Sequence, residues 1–364
     1  MHEISAATVA DYLRTSGRAT AAEPIEAREL SGGVSNVVLL VELSSRGERF
    51  VVKQARGKLR VQEEWLCPIE RIWREVETLQ ICGELLKALP QSAIRNPQSA
   101  MMSPPSIVAA FQSGVPSVLW EDRTNYCFAM TAAPAGHKTW KELLLAGELP
   151  LSLGIATGCG EMLAALHAGS WGNAEIAARL DDRQFFDQLR IDPYYRHVAK
   201  VHPDLAPQLQ QLIDSVWSHR RCLVHGDFSP KNLLVWQGQT MLIDFEVGHY
   251  GDPAFDLGFF LTHLVLKAIW SGARRERYLG LATAFWNTYR LRMEQSVSPA
   301  EIDDLESRAM FNLAGCLLAR IDGKSPVEYL GDTQRQAVRE RGRQWLMRPP
   351  STWTDTADSL SPEY

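Results

Sequence analysis

The sequence predicts an α+β protein of two lobes, a small β-rich lobe from residue 1 to 130 and a larger helical lobe from 131 to 348. Apolar, β-branched segments separated by polar turns dominate the first part of the chain. After residue 131 the apolar residues recur instead at the spacing of amphipathic helices. A chain of 364 residues is long enough for two such core-forming units. The segment 349–364 is rich in Pro, Ser and Thr, so we expect a flexible tail there.

The composition is that of an ordinary globular protein, with 45% hydrophobic and 22% charged residues. A net charge of −5 without a basic block argues against nucleic acid as a partner. Residues 1–20 lack the apolar stretch of a secretory signal, and the most apolar run, 257–266, is too short to cross a membrane. The six cysteines are scattered, so neither a disulfide framework nor a zinc site is predicted. We therefore expect a cytoplasmic protein with no membrane partner, and no oligomeric state is indicated.

The first lobe is predicted from local patterns. Val9 to Leu13 fits a short helix, and the segments 37–43 and 49–53 fit two strands joined by a polar turn. Pro68 stands where the first residue of a helix would, because its missing N–H has no partner at that position. The apolar residues after it recur at helical spacing as far as Leu79, which predicts a helix.

The change from strand to helix falls at one place in the chain. A loop rich in Ser, Pro and Asn is predicted at 91–105, and a strand at 126–130 ends near Thr131, the expected hinge between the lobes. The apolar run 257–266 fits a buried helix. Five helices of the second lobe are predicted at 155–167, 205–217, 255–270, 278–293 and 302–319.

The most informative feature is a pair of motifs that supply polar groups in the order that kinases use. The first runs Leu223-Val224-His225-Gly226-Asp227-Phe228-Ser229-Pro230-Lys231-Asn232, and the second runs Leu242-Ile243-Asp244-Phe245-Glu246. Phosphoryl transfer needs one carboxylate that orients the attacking hydroxyl and accepts its proton, and an amide and a second carboxylate that hold Mg²⁺. We predict Asp227 as the catalytic carboxylate and Asn232 and Asp244 as the metal ligands.

A hairpin between the two motifs is predicted to bring the metal ligands together. Two apolar strands, 233–236 and 240–243, flank a turn at 237–239 that contains glycine. If Trp236 pairs with Thr240, Asn232 lies opposite Asp244. Opposed residues of an antiparallel pair lie roughly 4.5–5.5 Å apart, so one hairpin would deliver both ligands.

With His-Gly-Asp followed by Asp-Phe-Glu, the chain resembles the superfamily of aminoglycoside phosphotransferases, choline kinases and methylthioribose kinases. The resemblance extends roughly from Val9 to Leu346. It implies a two-lobed protein-kinase-like fold, ATP and Mg²⁺ as cofactors, and a hydroxyl of a small molecule as the acceptor. Only eleven residues separate Asp244 from Asp256. This segment is too short for the activation segment of a protein kinase, which argues against a protein substrate.

The resemblance also implies nucleotide contacts in the first lobe. Lys53 corresponds to the lysine that pairs with the α- and β-phosphates, and Glu75 corresponds to the helix glutamate that holds it, with Glu77 as the alternative. The backbone of Thr131 and Ala133, between the lobes, would contact the adenine edge. Small residues of a glycine-containing loop let backbone N–H groups approach phosphates. The loop residues predicted for this are Gly32, Gly33, Ser35 and Asn36.

Three further residues near the motifs receive supporting roles. Asp256 resembles the buried aspartate that braces the catalytic loop in the superfamily, which is a structural role. His225 is expected to brace the backbone of the same loop. For Lys231, contact with the γ-phosphate and a solvent-facing position are both open.

The acceptor is less constrained by the sequence. The amino-terminal half is most similar to methylthioribose kinases, but those enzymes usually have a small residue in place of Asn232. They also carry an arginine pair where this chain has Phe311 and Asn312, while Arg308 and Arg320 lie nearby at other positions. The leading expectation is an ATP-dependent kinase of a small sugar-like or amino-alcohol metabolite, with methylthioribose possible. The alternatives are an antibiotic phosphotransferase of the aminoglycoside type and a non-catalytic nucleotide-binding regulator.

Overall fold

The first lobe is built on a five-stranded antiparallel sheet with the strand order β1-β2-β3-β5-β4. The computed structural model describes residues 3–30, 35–58, 67–87, 114–147 and 152–360. The strands are β1 (Ile25–Glu29), β2 (Asn36–Leu43), β3 (Glu48–Ala55), β4 (Val118–Asp122) and β5 (Cys127–Thr131). The predicted hairpin and the predicted third strand are confirmed as β2, β3 and β5. The sequence does not predict β1 and β4, because these strands form the edges of the sheet and mix polar with apolar residues.

Two helices accompany the sheet, α1 (Val9–Thr15) and α2 (Arg71–Lys87). Helix α2 begins at Arg71 rather than at Pro68. The Pro68 carbonyl accepts the Arg71 N–H in a turn that leads into the helix, 3.4 Å. The predicted loop at 91–105 and the glycines Gly32 and Gly33 lie outside the described residues.

The second lobe is helical, and all five helices predicted there are confirmed with ends shifted by at most three residues. Its helices are α3 (Trp140–Ala146), α4 (Ser152–Ser170), α5 (Ala174–Arg179), α6 (Ala206–Ser218), α7 (Ala254–Ser271), α8 (Arg275–Met293), α9 (Pro299–Asp322), α10 (Asp332–Met347) and α11 (Trp353–Asp358). Between α5 and α6 one helical segment has three parts, Gln184–Phe186, a π-helix at Asp187–Arg196, and His197–Val201, followed by a 3-10 turn at Pro203–Leu205. The short strands are β6 (Lys138–Thr139), β7 (Cys222–Val224), β8 (Leu233–Trp236), β9 (Gln239–Leu242) and β10 (His249–Gly251).

Helix α7 is the central helix of the second lobe. It is long and apolar enough to pass for a membrane span, but 83% of it is buried inside the protein, as in the core helix of a globular domain. A Cβ atom on Gly258 would lie 2.6 Å from the Ala309 carbonyl oxygen and 2.7 Å from the Leu313 nitrogen. Glycine therefore lets α7 cross α9 with the two backbones in contact, which fixes α7 beside the catalytic motifs.

The hairpin of β8 and β9 has a different register from the predicted one. Trp236 pairs with Gln239, not with Thr240, and the turn consists of Gln237 and Gly238. Both turn residues have positive φ, 49° and 78°, as a type I′ turn requires. Asn232 consequently lies opposite Ile243, whose N–H donates to the Asn232 carbonyl, 3.0 Å. The prediction that Asn232 lies directly opposite Asp244 is wrong by one residue.

The prediction of a flexible tail at 349–364 is also wrong for the part of this segment that the structure describes. Helix α11 packs on α8 and α9, and the Trp353 side chain is only 2% exposed. Its backbone N–H donates to Glu306 (2.8 Å) and its indole N–H donates to Thr283 (2.9 Å). Trp353 and Leu360 anchor a segment whose average composition is polar.

Candidate active site

The first motif forms a loop that follows β7, and Asp256 of α7 holds the backbone of this loop. The two carboxylate oxygens of Asp256 accept the N–H groups of His225 (2.7 Å) and Gly226 (2.8 Å). Asp256 is completely buried, and His167 lies 3.4 Å from it. The bracing role predicted for Asp256 is confirmed by these contacts. The His225 ring also contacts backbone, since its Nδ1 accepts the Asp227 N–H (3.1 Å) and its Nε2 lies 3.2 Å from the Ile243 carbonyl.

The two carboxylate oxygens of Asp227 have different surroundings. Oδ2 lies 2.9 Å from the Arg190 guanidinium and 2.9 Å from the Lys231 ammonium. It also accepts a hydrogen bond from the amide nitrogen of Asn232, 2.8 Å. Oδ1 is buried and has no hydrogen-bond partner among the described residues. Burial alone would raise the pKa of Asp227, but the charges of Arg190 and Lys231 lower it below its usual value. Asp227 is therefore an ionised carboxylate whose Oδ2 is held by three donors and whose Oδ1 has no partner among the residues that the structure describes.

Arg190 is a residue of this site that the sequence analysis missed. It lies in the π-helix, which contains Pro193, and a wider helical turn accommodates a ring that cannot donate an N–H. The Arg190 guanidinium donates from Nε to the Gly226 carbonyl, 2.7 Å, so it binds both the backbone of the loop and the Asp227 carboxylate. Lys231 pairs with Asp227 while half of its side chain, 50%, stays exposed.

The lysine–glutamate pair of the first lobe is present as predicted. The Lys53 ammonium lies 2.6 Å from Glu75 and 2.7 Å from Asp244. Burial opposes the charge of Lys53, yet Asp244 and Glu75 raise its pKa, so it stays cationic. Burial raises the pKa of Glu75, and Lys53 opposes that shift. Glu77 instead pairs with Arg179 near the surface, 3.2 Å, so Glu75 is the partner of Lys53.

The second motif places two carboxylates on the same side as Lys53. Asp244 has a φ of 72°, the left-handed conformation, so the chain turns sharply as it leaves β9. Burial would raise the pKa of Asp244, but Lys53 and Lys231 hold it well below its usual value. Ligand atoms of Glu75, Asp244 and Glu246 lie within 4.8 Å of one another. Carboxylate and amide oxygens are the donors that Mg²⁺ prefers, so Asp244, Asn232 and this cluster fit such an ion. Since the Asn232 amide nitrogen donates to Asp227, its oxygen is the atom left for a metal.

Glu246 connects the second motif to the end of the glycine-containing loop, and the sequence analysis did not assign it. Its carboxylate accepts the Ser35 hydroxyl (2.7 Å), the Asn36 amide (3.0 Å) and the Arg71 guanidinium (3.2 Å). Arg71 is fully buried and also donates to the Ser35 carbonyl. The described residues of the predicted nucleotide loop are thus tied to the segment that carries Asp244.

The remaining predicted residues have the following places. Thr131 ends β5 and its N–H donates to the Ser117 carbonyl, 2.9 Å, while the Ala133 carbonyl accepts the Arg49 guanidinium, 3.0 Å. Asn312 is fully buried, accepts the Tyr195 hydroxyl (2.8 Å) and donates to the Arg308 carbonyl (3.0 Å). Arg308 itself pairs with Asp252 at 3.0 Å. These contacts make Asn312 and Arg308 structural residues.

The fold and this site together define a class, the small-molecule kinases of protein-kinase-like architecture. Two solved structures share the fold. Ethanolamine kinase of Plasmodium vivax has a TM-score of 0.54 and 11% identity, covering 96% of this chain and 92% of that chain. Choline kinase of Cryptosporidium parvum has a TM-score of 0.54 and 12% identity, covering 94% and 97%.

The family follows from the sequence itself. The model of the phosphotransferase enzyme family matches residues 26–295, so the chain belongs to this family. Methylthioribose kinase of Citrobacter koseri is 24% identical over 310 residues, which is 74% of this chain and 69% of that protein. Methylthioribose kinase of Exiguobacterium sibiricum is 25% identical over 371 residues, which is 89% of this chain and 86% of that protein. These relatives support the predicted superfamily.

Proposed function

We propose that this kinase transfers the γ-phosphoryl group of ATP to a hydroxyl of a small molecule, with Mg²⁺ as the metal. The observation that carries the proposal is the asymmetry of Asp227. Three donors hold Oδ2, and Oδ1 is buried without a partner among the residues that the structure describes. A carboxylate in this state can orient a hydroxyl and accept its proton.

The nucleotide side is assigned to Lys53, Glu75, Asp244 and Asn232. Lys53, held by Glu75, would pair with phosphate oxygens, and the backbone near Ser35, Asn36, Thr131 and Ala133 would contact the rest of the nucleotide. Asp244 and Asn232 would hold Mg²⁺, which neutralises developing charge on the phosphates when it is bound. Lys53 lies 2.7 Å from Asp244, which supports a common role in which the lysine and the metal ligand would act on the same phosphates.

The reaction then depends on Asp227 and its two cationic neighbours. Oδ1 accepts the proton of the acceptor hydroxyl as the hydroxyl oxygen bonds to phosphorus and the bond to ADP breaks. Arg190 and Lys231 keep the carboxylate ionised, because they lower its pKa. They also fix its orientation, which sets the direction from which the hydroxyl approaches.

A free small molecule is the proposed acceptor class. The segment between Asp244 and Asp256 contains only eleven residues, and part of it is β10, which pairs with β7. It therefore offers no extended surface for a peptide. Methylthioribose is the first specific candidate because methylthioribose kinases are among the relatives that match the chain. Against it, the buried Asn312 stands where the arginine pair of those enzymes is expected.

A screen with labelled ATP tests the proposal. We expect label to pass to at least one small hydroxyl compound in a panel of sugars, sugar phosphates, methylthioribose, choline and aminoglycosides. We expect no appreciable label on generic protein substrates. Robust labelling of proteins and none of any small molecule would contradict the proposal. Nucleotide binding without turnover of any acceptor would favour a regulatory protein instead.

A further inference from the structure

A group of three basic side chains, two buried and one half-buried, lies in the second lobe, apart from Lys53 and the metal ligands. Lys267 of α7 is 1% exposed, and its ammonium donates to the His263 carbonyl, 3.2 Å, and lies 5.4 Å from the ring centre of Tyr329. Arg320 of α9 donates to the hydroxyls of Tyr194 and Ser325, both at 3.1 Å. We call Lys267, Arg320 and the neighbouring His263 the cationic cluster, although burial lowers the pKa of His263 well below its usual value and leaves its ring neutral at pH 7.

The cationic cluster has no acidic partner in the part of the chain that the structure describes. Every charged group that acts appreciably on Lys267 or His263 is a cation, and these include Arg320 and Lys141. Burial and, to a smaller extent, the charges of Lys141 and Arg320 together lower the pKa of Lys267 from 10.5 to about 7. Burying a charge without a counter-ion is unfavourable, and proteins normally avoid it. The protein as a whole is acidic, with a net charge of −5, so the cluster does not reflect a basic composition.

Polar atoms of the cluster and of the adjacent Tyr329 also lack partners within the described part of the chain. The Nε2 atom of His263, the Nε atom of Arg320 and the hydroxyl of Tyr329 are buried and have no hydrogen-bond partner among the described residues. His263 is 8% exposed as a whole. Native proteins leave few buried polar groups unpaired, and those that remain call for an explanation. Donors without partners beside uncompensated cations are what an anion-binding site requires.

The cationic cluster is connected to Asp227 through one layer of aromatic side chains. The centre of the Phe259 ring lies 5.0 Å from that of the His263 ring and 5.9 Å from the Arg190 guanidinium, which binds Asp227. Tyr194, which accepts a hydrogen bond from Arg320, also packs on Phe259, 5.9 Å. The charge of Lys231, which pairs with Asp227, contributes to lowering the pKa of His263. The cluster and the Asp227 site are therefore neighbours on the two ends of one set of contacts around Phe259.

We propose that the cationic cluster binds an anionic group, a phosphate or a carboxylate, of the acceptor whose hydroxyl is phosphorylated at Asp227. The proposal rests on the function proposed above and narrows it. It makes the preferred acceptor a hydroxyl compound with a negative charge, so an anionic compound replaces the neutral methylthioribose as the first candidate. Polycationic antibiotics and choline would place a positive charge beside Lys267 and Arg320, where it is repelled.

Matched acceptors test the proposal directly. Ribose 5-phosphate would be compared with ribose, and glycerate with glycerol, with an aminoglycoside and choline as cationic acceptors. Because a hydrogen bond to a charged group contributes about 1.5–3 kcal/mol, the anionic member of a pair should have a kcat/KM roughly 10- to 100-fold higher. The sugar phosphate and the carboxylate distinguish the two kinds of anion. Efficient turnover of neutral or cationic acceptors above their anionic counterparts would overturn the proposal.

Two variants separate binding from folding. Tyr329→Phe removes a hydroxyl that has no partner among the described residues and keeps the ring. Lys267→Met removes the charge at similar length. Each should raise the KM for the anionic acceptor about tenfold or more, with the KM for ATP unchanged. Lys200→Met, at an exposed lysine of the second lobe, is the matched control and should have no effect. An unchanged KM for the anionic acceptor in both variants would overturn the proposal.

A binding measurement keeps the two proposals distinguishable. With ADP present at saturation, inorganic phosphate should raise the melting temperature of the wild-type protein and of Lys200→Met more than that of Lys267→Met. If no acceptor is phosphorylated but this difference is seen, the proposed function fails and the anion site stands. If acceptors are phosphorylated and phosphate protects all variants equally, the anion site fails and the proposed function stands.

Discussion

At the scale of single residues, the unequal oxygens of Asp227 lead to the first prediction. Asp227→Asn keeps the size of the side chain but replaces the carboxylate that accepts the proton. We expect kcat to fall roughly 10²- to 10⁴-fold, with ATP affinity little changed, because Asp227 is not assigned to the nucleotide. Asp204→Asn is a matched control, since Asp204 pairs with Arg343 at the surface of the second lobe. Steady-state rates and nucleotide titrations of both variants provide the measurement, and normal turnover in Asp227→Asn would refute the assignment.

The second residue-scale prediction concerns Lys53 and Glu75. These side chains are 2.6 Å apart and both are buried, so we expect Glu75 to act only by positioning Lys53. In that case Lys53→Ala with Glu75→Ala should lower kcat/KM about as much as Lys53→Ala alone. A double-mutant cycle on kcat/KM for ATP measures this coupling. Fully additive effects would show that Glu75 does not act through Lys53.

The residues of the site divide into those that local sequence predicts and those that it cannot. Asp227, Asn232 and Asp244 stand within two short motifs, so their types and order identify them. Arg190 contacts the loop from 36 positions away, and only the packing of the π-helix brings it to Asp227. No pattern around Arg190 indicates that contact.

At the scale of elements, the turn between β8 and β9 leads to the third prediction. Gly238 has a φ of 78°, and a Cβ atom added there would meet nothing within 4 Å, so alanine would be strained only through its backbone. Gly238→Ala should lower the free energy of unfolding by about 1 kcal/mol or more. Gly280→Ala is the matched control, because Gly280 lies within α8 with the same open surroundings and no positive φ. Gly280→Ala should instead raise the free energy of unfolding by about 0.4–1 kcal/mol. Urea unfolding of the two variants checks both signs, and equal shifts would contradict the turn geometry.

The same turn explains the limit of prediction from sequence at this scale. The strands and the glycine of the hairpin were sufficient to predict two paired segments. The register depends on Gln237, which adopts a positive φ that glutamine rarely takes, so a longer turn fits the sequence equally well. A shift of one residue changed the partner of Asn232 from Asp244 to Ile243, and the left-handed conformation of Asp244 restores its position beside Lys53.

At the scale of the whole molecule, the buried Lys267 leads to the fourth prediction, on stability and pH. Its pKa falls from 10.5 to about 7 in the folded protein, so between these values the unfolded chain binds more protons. The free energy of unfolding that depends on Lys267 therefore decreases as the pH falls from about 10.5 to 7. The titratable and charged groups around it are His263, Tyr329, Arg320 and Lys141.

Lys267→Met should accordingly raise the free energy of unfolding by about 1–3 kcal/mol at pH 7, with a smaller gain near pH 10. Urea unfolding of the wild type, Lys267→Met and Lys200→Met at both pH values measures the difference. A variant that is less stable than the wild type at pH 7 would mean that a counter-charge compensates Lys267. If Lys267→Met is more stable than the wild type and also binds the anionic acceptor more weakly, then Lys267 costs stability and serves binding.

The overall architecture was predictable because it depends on many residues at once. Five helices and the three central strands follow from apolar spacing repeated over long segments. The packing of the carboxyl-terminal part was not predictable, because it depends on a few contacts. Composition averages over 349–364, whereas the burial there depends on three of the described residues, Trp353, Thr356 and Leu360.

Helix α11 has a practical consequence for how the protein can be trimmed and tagged. It joins α8 and α9 through Thr283 and Glu306, and one carboxylate oxygen of the buried Glu306 accepts only the Trp353 N–H among the described contacts. Removing the chain from residue 349 would leave that oxygen buried without its donor and uncover the apolar surface beneath the indole ring. A protease should accordingly find few sites in the folded protein between 349 and 360, and an affinity tag belongs after the last residue rather than in place of this helix.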